Sequence, residues 1–261
     1  MTLPLAGLTV VVTRPARQAA RFIERLREHG AAAIAFPALV IEPATLDAAA
    51  RAVLAPDAFD WVVYTSANAV EHSLPQIGRP ERARVAAIGR ATARVLVDAR
   101  IRVDAVPASG ADTESLLALP EFADVRAQRI LIVKGVGGRD ALRAGFAERG
   151  AVVRTAEVYR RAQPVPSAEA LLALDHARES GPVVVSVTSV EVLESLLAIV
   201  PGASYPWLRE VPLLVPGERV AAEARRLGWR GQVVVARSAE DEAMLDALKL
   251  RPPGEGAIAP A

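Results

Sequence analysis

Ten short runs of apolar, largely β-branched residues recur along the chain, at 8–13, 31–36, 60–64, 84–88, 102–106, 129–133, 151–156, 183–187, 211–215 and 232–236. Stretches with helical spacing of apolar residues lie between most of them, for example 16–29 and 138–149. Near-continuous apolar strands alternating with helices form parallel sheets buried on both faces, so the expected class is α/β. Ten strands are more than one compact sheet in 261 residues usually carries, and two sheets of about five are expected.

Internal repetition points the same way. Shifted by 120 positions, residues 8–41 overlie 128–161, and Arg27-Glu28-His29-Gly30-Ala31 meets Ala147-Glu148-Arg149-Gly150-Ala151. In each stretch a helix ends at glycine and a strand follows, the left-handed helix stop. With other offsets Thr65-Ser66 overlies Thr188-Ser189, Gly89 overlies Gly217, and Leu116-Leu119 overlies Leu245-Leu248. Chance similarity among α/β units is the alternative source of these matches. Two arrangements fit the repeat. The domains could be sequential, near 1–125 and 126–261, or the chain could begin one domain, build the second and return. Ala38 to Pro43 and Val158 to Pro164 both follow a βαβ unit, look extended and end in proline. They could pair as a two-stranded connector, which favours the returning arrangement.

Composition excludes several classes. Hydrophobic residues make up 52% and charged residues 23%, enough apolar material for a packed core. A net charge of +1 without a basic tail argues against a dedicated nucleic-acid binder. Cysteine is absent, so disulfides, thiol nucleophiles and cysteine-ligated metals drop out, and a reducing cytoplasm fits. The N-terminal Met1-Thr2-Leu3-Pro4 lacks a basic, apolar leader, and no apolar run is long enough to cross a bilayer. The tail Arg251-Pro252-Pro253-Gly254-Glu255-Gly256 reads as frayed. No membrane or nucleic-acid partner is expected, and the protein is read as a monomer.

The candidate chemistry sits where strands end. Thr13-Arg14-Pro15, Thr65-Ser66-Ala67-Asn68, Gly89-Arg90-Ala91-Thr92, Lys134-Gly135-Val136-Gly137-Gly138, Thr188-Ser189 and Gly217-Glu218 each follow a strand and lead into a helix. Ligands gather at the carboxyl ends of parallel strands, and helix N-termini favour anions. The plain alternative is that Ser, Thr, Asn and Gly are good helix caps. The sites differ in charge. Thr188-Ser189-Val190-Glu191 fits a capping box, and Glu218 also opens a helix, so both place a carboxylate where an anion would sit. No acid follows Thr65 to Asn68 until Glu71, while Arg14 and Lys134 each add a cation. The favoured anion sites are therefore near Arg14, 66–68 and 134–138.

Other signals are negative. The lysine at 134 precedes its glycines, unlike a phosphate-binding loop. Neither Ser66 nor Ser189 sits in a Gly-x-Ser-x-Gly elbow. His29, His72 and His176 lack ligand spacing and read as surface or helix-end residues, and no metal motif occurs. Tyr159 lies on the proposed connector beside Arg160 and Arg161. It is either an ordinary strand residue or a proton donor to a leaving group, since a phenol keeps its proton at neutral pH.

Taken in order, these motifs resemble the uroporphyrinogen-III synthase family. Tyr64-Thr65-Ser66-Ala67-Asn68-Ala69-Val70 is similar to the family's Phe-Thr-Ser-x-Asn-Ala-Val, and Ala87-Ile88-Gly89-Arg90-Ala91-Thr92-Ala93 to its Ile-Gly-x-x-Thr-Ala turn. Ile130 to Gly135, Arg139 to Leu142, Gly150 to Val153 and Val158-Tyr159-Arg160-Arg161 follow in matching order over most of the chain. The resemblance implies two flavodoxin-like lobes with the active site in their cleft, and it selects the returning arrangement. Lobe 1 would comprise 1–37 and 166–261, lobe 2 44–157, and the connector strands 38–43 and 158–165. The implied activity is a lyase that dehydrates and cyclises linear hydroxymethylbilane, with inversion of ring D, needing no cofactor or metal. The implied substrate carries eight carboxylates, to be met by Arg14, Thr65, Ser66, Ala67, Asn68, Gly89, Thr92, Lys134, Gly135, Ser189 and Gly217. Tyr159 matches the family tyrosine that helps the hydroxyl leave. Departures weaken the second half: Val187 to Glu191 stands where the family often has Phe-Thr-Ser-x-Ser, and Val220 stands where Thr92 has its hydroxyl. A non-catalytic two-lobed protein that binds an anion or metabolite is the rival reading.

Overall fold

The structure is a computed structural model that describes residues 3–138 and 140–250; Met1, Thr2, Arg139 and the tail from Arg251 lie outside the described residues. In chain order the elements begin β1 (Thr9–Val12), α1 (Ala16–Glu28), β2 (Ala32–Ala35), β3 (Val40–Pro43), α2 (Ala48–Val53) and β4 (Trp61–Tyr64). They continue with α3 (Ala67–Ile77), β5 (Arg84–Ala87), α4 (Arg90–Asp98), α5 (Thr113–Leu117), β6 (Arg129–Gly135), α6 (Ala141–Glu148) and β7 (Val152–Ala162). Last come α7 (Ala168–Ser180), β8 (Val183–Ser186), α8 (Val190–Ile199), β9 (Leu213–Val215), α9 (Glu218–Arg226), β10 (Val233–Val235) and α10 (Asp241–Lys249). No helix among the described residues is long and apolar enough to cross a membrane.

The chain divides into two compact units, one from residues up to Val40 and from Ala162 onward, the other Ile41–Arg161. The first holds a five-stranded sheet ordered β10-β9-β8-β1-β2. The ladders of this sheet are parallel, with Val11 beside Ile34 on one side and Val185 on the other. Renumbered within the unit, this is the doubly wound order 2-1-3-4-5. Val11 points into a core with α7, α8 and α9; Val10 and Val12 point into another with α1 and α10. Such alternation on a strand buried throughout requires helices on both faces.

The second unit has the order β3-β7-β6-β4-β5, with β4 between β5 and β6 and in parallel register with β6, Val63 next to Ile132. Val62 and Tyr64 face α3 and α4, while Trp61 and Val63 face α5 and α6. The second face holds three aromatic rings in contact: Trp61 and Phe122 lie 4.8 Å apart, Phe122 and Phe146 5.0 Å in edge contact. Burying each such ring stabilises by roughly 1.5–3 kcal/mol. The edge strand β3 comes from the segment before the rest of the unit. It lies beside β7, where Glu42 takes Arg160 Nη2 at 2.9 Å and Ala44 donates its N–H to Val158 O at 3.0 Å.

Some boundaries differ from expectation. Residues 102–106 form no strand, only one bridge between Ala105 and Ala86. Asp104 takes the N–H of Val85 on its carboxylate at 2.9 Å, so a side chain occupies a ladder position. The helix expected from 138 begins at Ala141, because Gly137 (φ 74°) and Gly138 (φ 83°) are left-handed. At α8 the cap is Ser189 rather than Thr188, so Glu191 is a first-turn acid and the Thr188-based capping box is not formed. The left-handed stops at Gly30 (φ 90°) and Gly150 (φ 81°) occur as expected after α1 and α6.

The turn leading into β5 depends on one carboxylate. Asp57 Oδ1 accepts the backbone N–H groups of Glu81 (2.9 Å), Arg82 (2.9 Å) and Ala83 (3.2 Å). These bonds, that of Arg82 foremost, hold its carboxyl below the ordinary aspartate range. A depressed folded-state value means stability that is present above the ordinary range and lost as pH falls through it. Asp57→Asn keeps an acceptor but not the charge. It is expected to lower the melting temperature near neutrality, with the gap to wild type closing in acid.

Candidate functional site

In a doubly wound sheet the order reverses between the first and third strands, and ligands bind at the carboxyl ends there. In the second unit those strands are β4 and β6. A pocket of about 340 Å³ opens at their ends, with Thr65 and Ser66 after β4, Lys134 and Gly135 closing β6, and Tyr159 and Arg161 on β7. Thr65 ties the two strands together: its N–H (3.1 Å) and hydroxyl (3.2 Å) both reach Val133 O.

Ser66 caps α3 in extended backbone, and its Oγ accepts the Ala69 N–H at 3.0 Å. The same oxygen lies 3.1 Å from the hydroxyl of Tyr159, which is 3% exposed. No acid occupies the first turn of α3, whereas α8 carries Glu191 and α9 Glu218 there. The Lys134 side chain has no hydrogen bond or ion pair among the described residues, though Asp140 lies close enough to feel its charge. Asp140 is bound by Arg143 Nη2 at 2.6 Å, and its hydrogen bonding to Arg143 chiefly holds its carboxyl below the usual range. Asp112 is likewise engaged, capping α5 through the Ser115 N–H at 2.7 Å. The pocket thus presents a lysine not paired to any described carboxylate; of the acids lining it, Asp112 and Asp140 are engaged, while Glu114, in the first turn of α5, has no side-chain partner among the described residues. Among the described residues no group of three or more His, Asp or Glu side chains could hold a metal.

The expected residues separate into groups. Thr65, Ser66, Lys134, Gly135 and Tyr159 line the pocket. Ala67 and Asn68 form the first turn of α3 without lining it. Gly89 caps α4, and Thr92 lies buried within that helix. Gly89 serves packing, since a Cβ there would lie 2.7 Å from that of Ala111. Arg14, Ser189 and Gly217 belong to the first unit. Arg14 was expected to offer a free cation, but it is only 7% exposed and bound to Asp241 and to Ala239 O at 3.0 Å, with its guanidinium over Phe22. Ser189 caps α8 through the Val192 N–H at 3.2 Å. Thr113, Arg143 and Arg161 also line the pocket and were not singled out as site residues; Arg161 could have been found as the second residue after Tyr159 on one strand face. His72, read as a surface residue, places its ring 5.9 Å from that of Tyr159.

A family model described as uroporphyrinogen-III synthase HemD matches residues 20–246. The chain belongs to the uroporphyrinogen-III synthase family. It is 34% identical to the uroporphyrinogen-III synthase of Escherichia coli K12 over 250 residues, covering 93% of this chain and all of that protein. The Salmonella typhimurium synthase is 33% identical over the same share of both chains. Among solved structures, uroporphyrinogen-III synthetase from Helicobacter pylori superposes with a TM-score of 0.63 at 17% identity, covering 93% of this chain and 99% of that one. A mutant synthase from the extreme thermophile Thermus thermophilus gives 0.56 at 21% identity, covering 93% of this chain and 97% of that one. These two likenesses share the fold: α/β, with parallel sheets covered by helices on both faces.

One residue of the strand–cap stretch differs from the family pattern with a consequence for stability. Tyr64 stands where that stretch carries phenylalanine, and its hydroxyl is buried without a hydrogen-bond partner. The nearby Ser73 donates its proton to Val70 O at 3.0 Å. Burial pushes the Tyr64 phenol up to about 12. The unfolded chain would release that proton near pH 10, so stability is lost as pH rises past that value. Tyr64→Phe is expected to stabilise the protein by about 1 kcal/mol near neutrality, by removing an unpaired buried hydroxyl. It should also flatten the alkaline decline; urea unfolding at neutral and alkaline pH measures both.

Proposed function

We propose that the pocket of the second unit takes part of a linear hydroxymethylbilane and that this chain dehydrates and cyclises it to uroporphyrinogen III. The observation that carries this reading is Tyr159, whose hydroxyl is held 3.1 Å from Ser66 at the wall of a switch-point pocket containing Lys134. The Tyr159 phenol gives its proton to the leaving hydroxyl, the carbon–oxygen bond breaks, water departs, and a pyrrole N–H proton of the resulting cation returns to the phenolate to give the neutral azafulvene. A positioned donor of this kind contributes roughly 10²-fold to 10⁴-fold. The reactive azafulvene left behind must be held folded for ring D to close in inverted sense, which is a task of orientation. Lys134 and the backbone amides at Ser66 and Gly135 receive substrate carboxylates, helped by the acid-free N-terminus of α3.

In this reading the lobes are 1–37 with 166–261 and 44–157, linked through 38–43 and 158–165, and the enzyme works as a cytoplasmic monomer. Arg14 is not assigned a carboxylate, since Asp241 already neutralises it. The rival, a non-catalytic anion-binding protein, predicts occupancy without turnover.

Supplying hydroxymethylbilane and resolving the product isomers separates the two. The type III isomer is expected; only the spontaneous type I isomer would sink the proposal. Tyr159→Phe is expected to slow type III formation by about 10-fold or more with circular dichroism unchanged. Lys134→Gln is expected to raise KM several-fold while leaving kcat near wild type, as loss of uniform binding does.

A further inference from the structure

Strand β7 does not keep step with β6 to its end. Lys134 lies beside Glu157, but the next pair is Gly135 with Tyr159, so β7 holds Val158 as an extra residue. Such a bulge turns the strand and re-aims the side chain that follows. In regular alternation Val158 and Tyr159 would face opposite sides of the sheet. Here both are buried in one core with Leu131, Val133 and the α3 residues Ala69 and Val70.

The re-aimed ring lies directly over Gly135. A Cβ on Gly135 would stand 2.6 Å from Tyr159 Cζ, 2.8 Å from Cε2 and 3.0 Å from the hydroxyl oxygen. Gly135 is not among the glycines with positive φ, so what it supplies is space, not a left-handed turn. The chain is fixed there, because the Val136 N–H donates to Tyr159 O at 2.7 Å. At the far end of the ring stands Ser66, 3.1 Å from the hydroxyl.

We infer that Gly135 and Ser66 are positioning residues for Tyr159: the bulge turns the ring toward α3, the missing side chain at Gly135 lets it lie against β6, and Ser66 fixes its hydroxyl at the pocket wall. This rests on the reading of Tyr159 as the proton donor. The proton count supports the pairing. Ser66 Oγ already accepts from Ala69, and its single proton can be given to the phenolic oxygen. Tyr159 then keeps its own proton for the leaving hydroxyl.

The test measures kcat and KM for Gly135→Ala, Ser66→Gly and Ser66→Thr, each alone and combined with Tyr159→Phe. Gly135→Ala is expected to lower kcat about 10-fold to 100-fold with KM changed less than about three-fold, as a displaced donor would. Ser66→Gly removes the hydroxyl but leaves an acceptable helix cap, and should lower kcat about 10-fold. Ser66→Thr should restore it. With Tyr159→Phe in place, Gly135→Ala and Ser66→Gly should each change kcat less than about two-fold, because the group they position is gone. Gly202→Ala, whose Cβ meets nothing within 4 Å, is the control.

If Tyr159→Phe is slow while Gly135→Ala runs at wild-type speed, the positioning inference falls and the donor reading stands. Equal losses in both backgrounds overturn it as well, by showing an effect that bypasses Tyr159. If Tyr159→Phe is as fast as wild type, the donor reading fails, and this inference with it. Should Gly135→Ala fail to fold by circular dichroism, the Ser66 pair decides: an unchanged or fully additive kcat for Ser66→Gly overturns the proposal.

Discussion

The parallel ladder between β4 and β6 governs the second unit. Val63 sits beside Ile132 and Tyr64 beside Val133, and both strands are buried on both faces. A slip of one residue would turn every buried side chain to the wrong face, so the register is strongly fixed. Once it is fixed, the strands must end together. Thr65 and Ser66 then stand next to Lys134 and Gly135, although 68 residues separate Thr65 from its partner Val133. The pocket is thus set by core packing before any polar group is considered. The polar groups decide what such a pocket receives. Its lysine is not paired to a described carboxylate, Asp112 and Asp140 beside it are engaged, and α3 begins without a carboxylate.

Much of this was legible in the chain, for reasons specific to each element. The strands at 61–64 and 129–135 announce themselves because strands buried on both faces read as unbroken apolar runs. The cap at Ser66 was readable because capping is a local matter of one side chain and an N–H three residues on. Properties of pairing were hidden. The bulge at Val158 is a relation between two strands, and the sequence of β7 alone carries no mark of it. Arg14 looked like a free cation because its partner Asp241 is 227 residues away. The hydrogen bond between Ser66 and Tyr159 joins residues 93 apart, so the sequence could name both without placing them together. Residues 102–106 had the composition of a strand, but Asp104 gave its side chain to the ladder.

The strand order of the first unit also bears on how the chain is made. The interior strand β1 pairs with β2 within about one βαβ unit, but its other partner, β8, begins at Val183. All of Ile41–Arg161 emerges from the ribosome between those two events. For that interval the Thr9–Val12 edge, four apolar-rich residues destined for full burial, has no strand beside it. An unpaired apolar edge is a template for association with other chains. That edge therefore stays open to pairing until Val183–Ser186 is available to cover it.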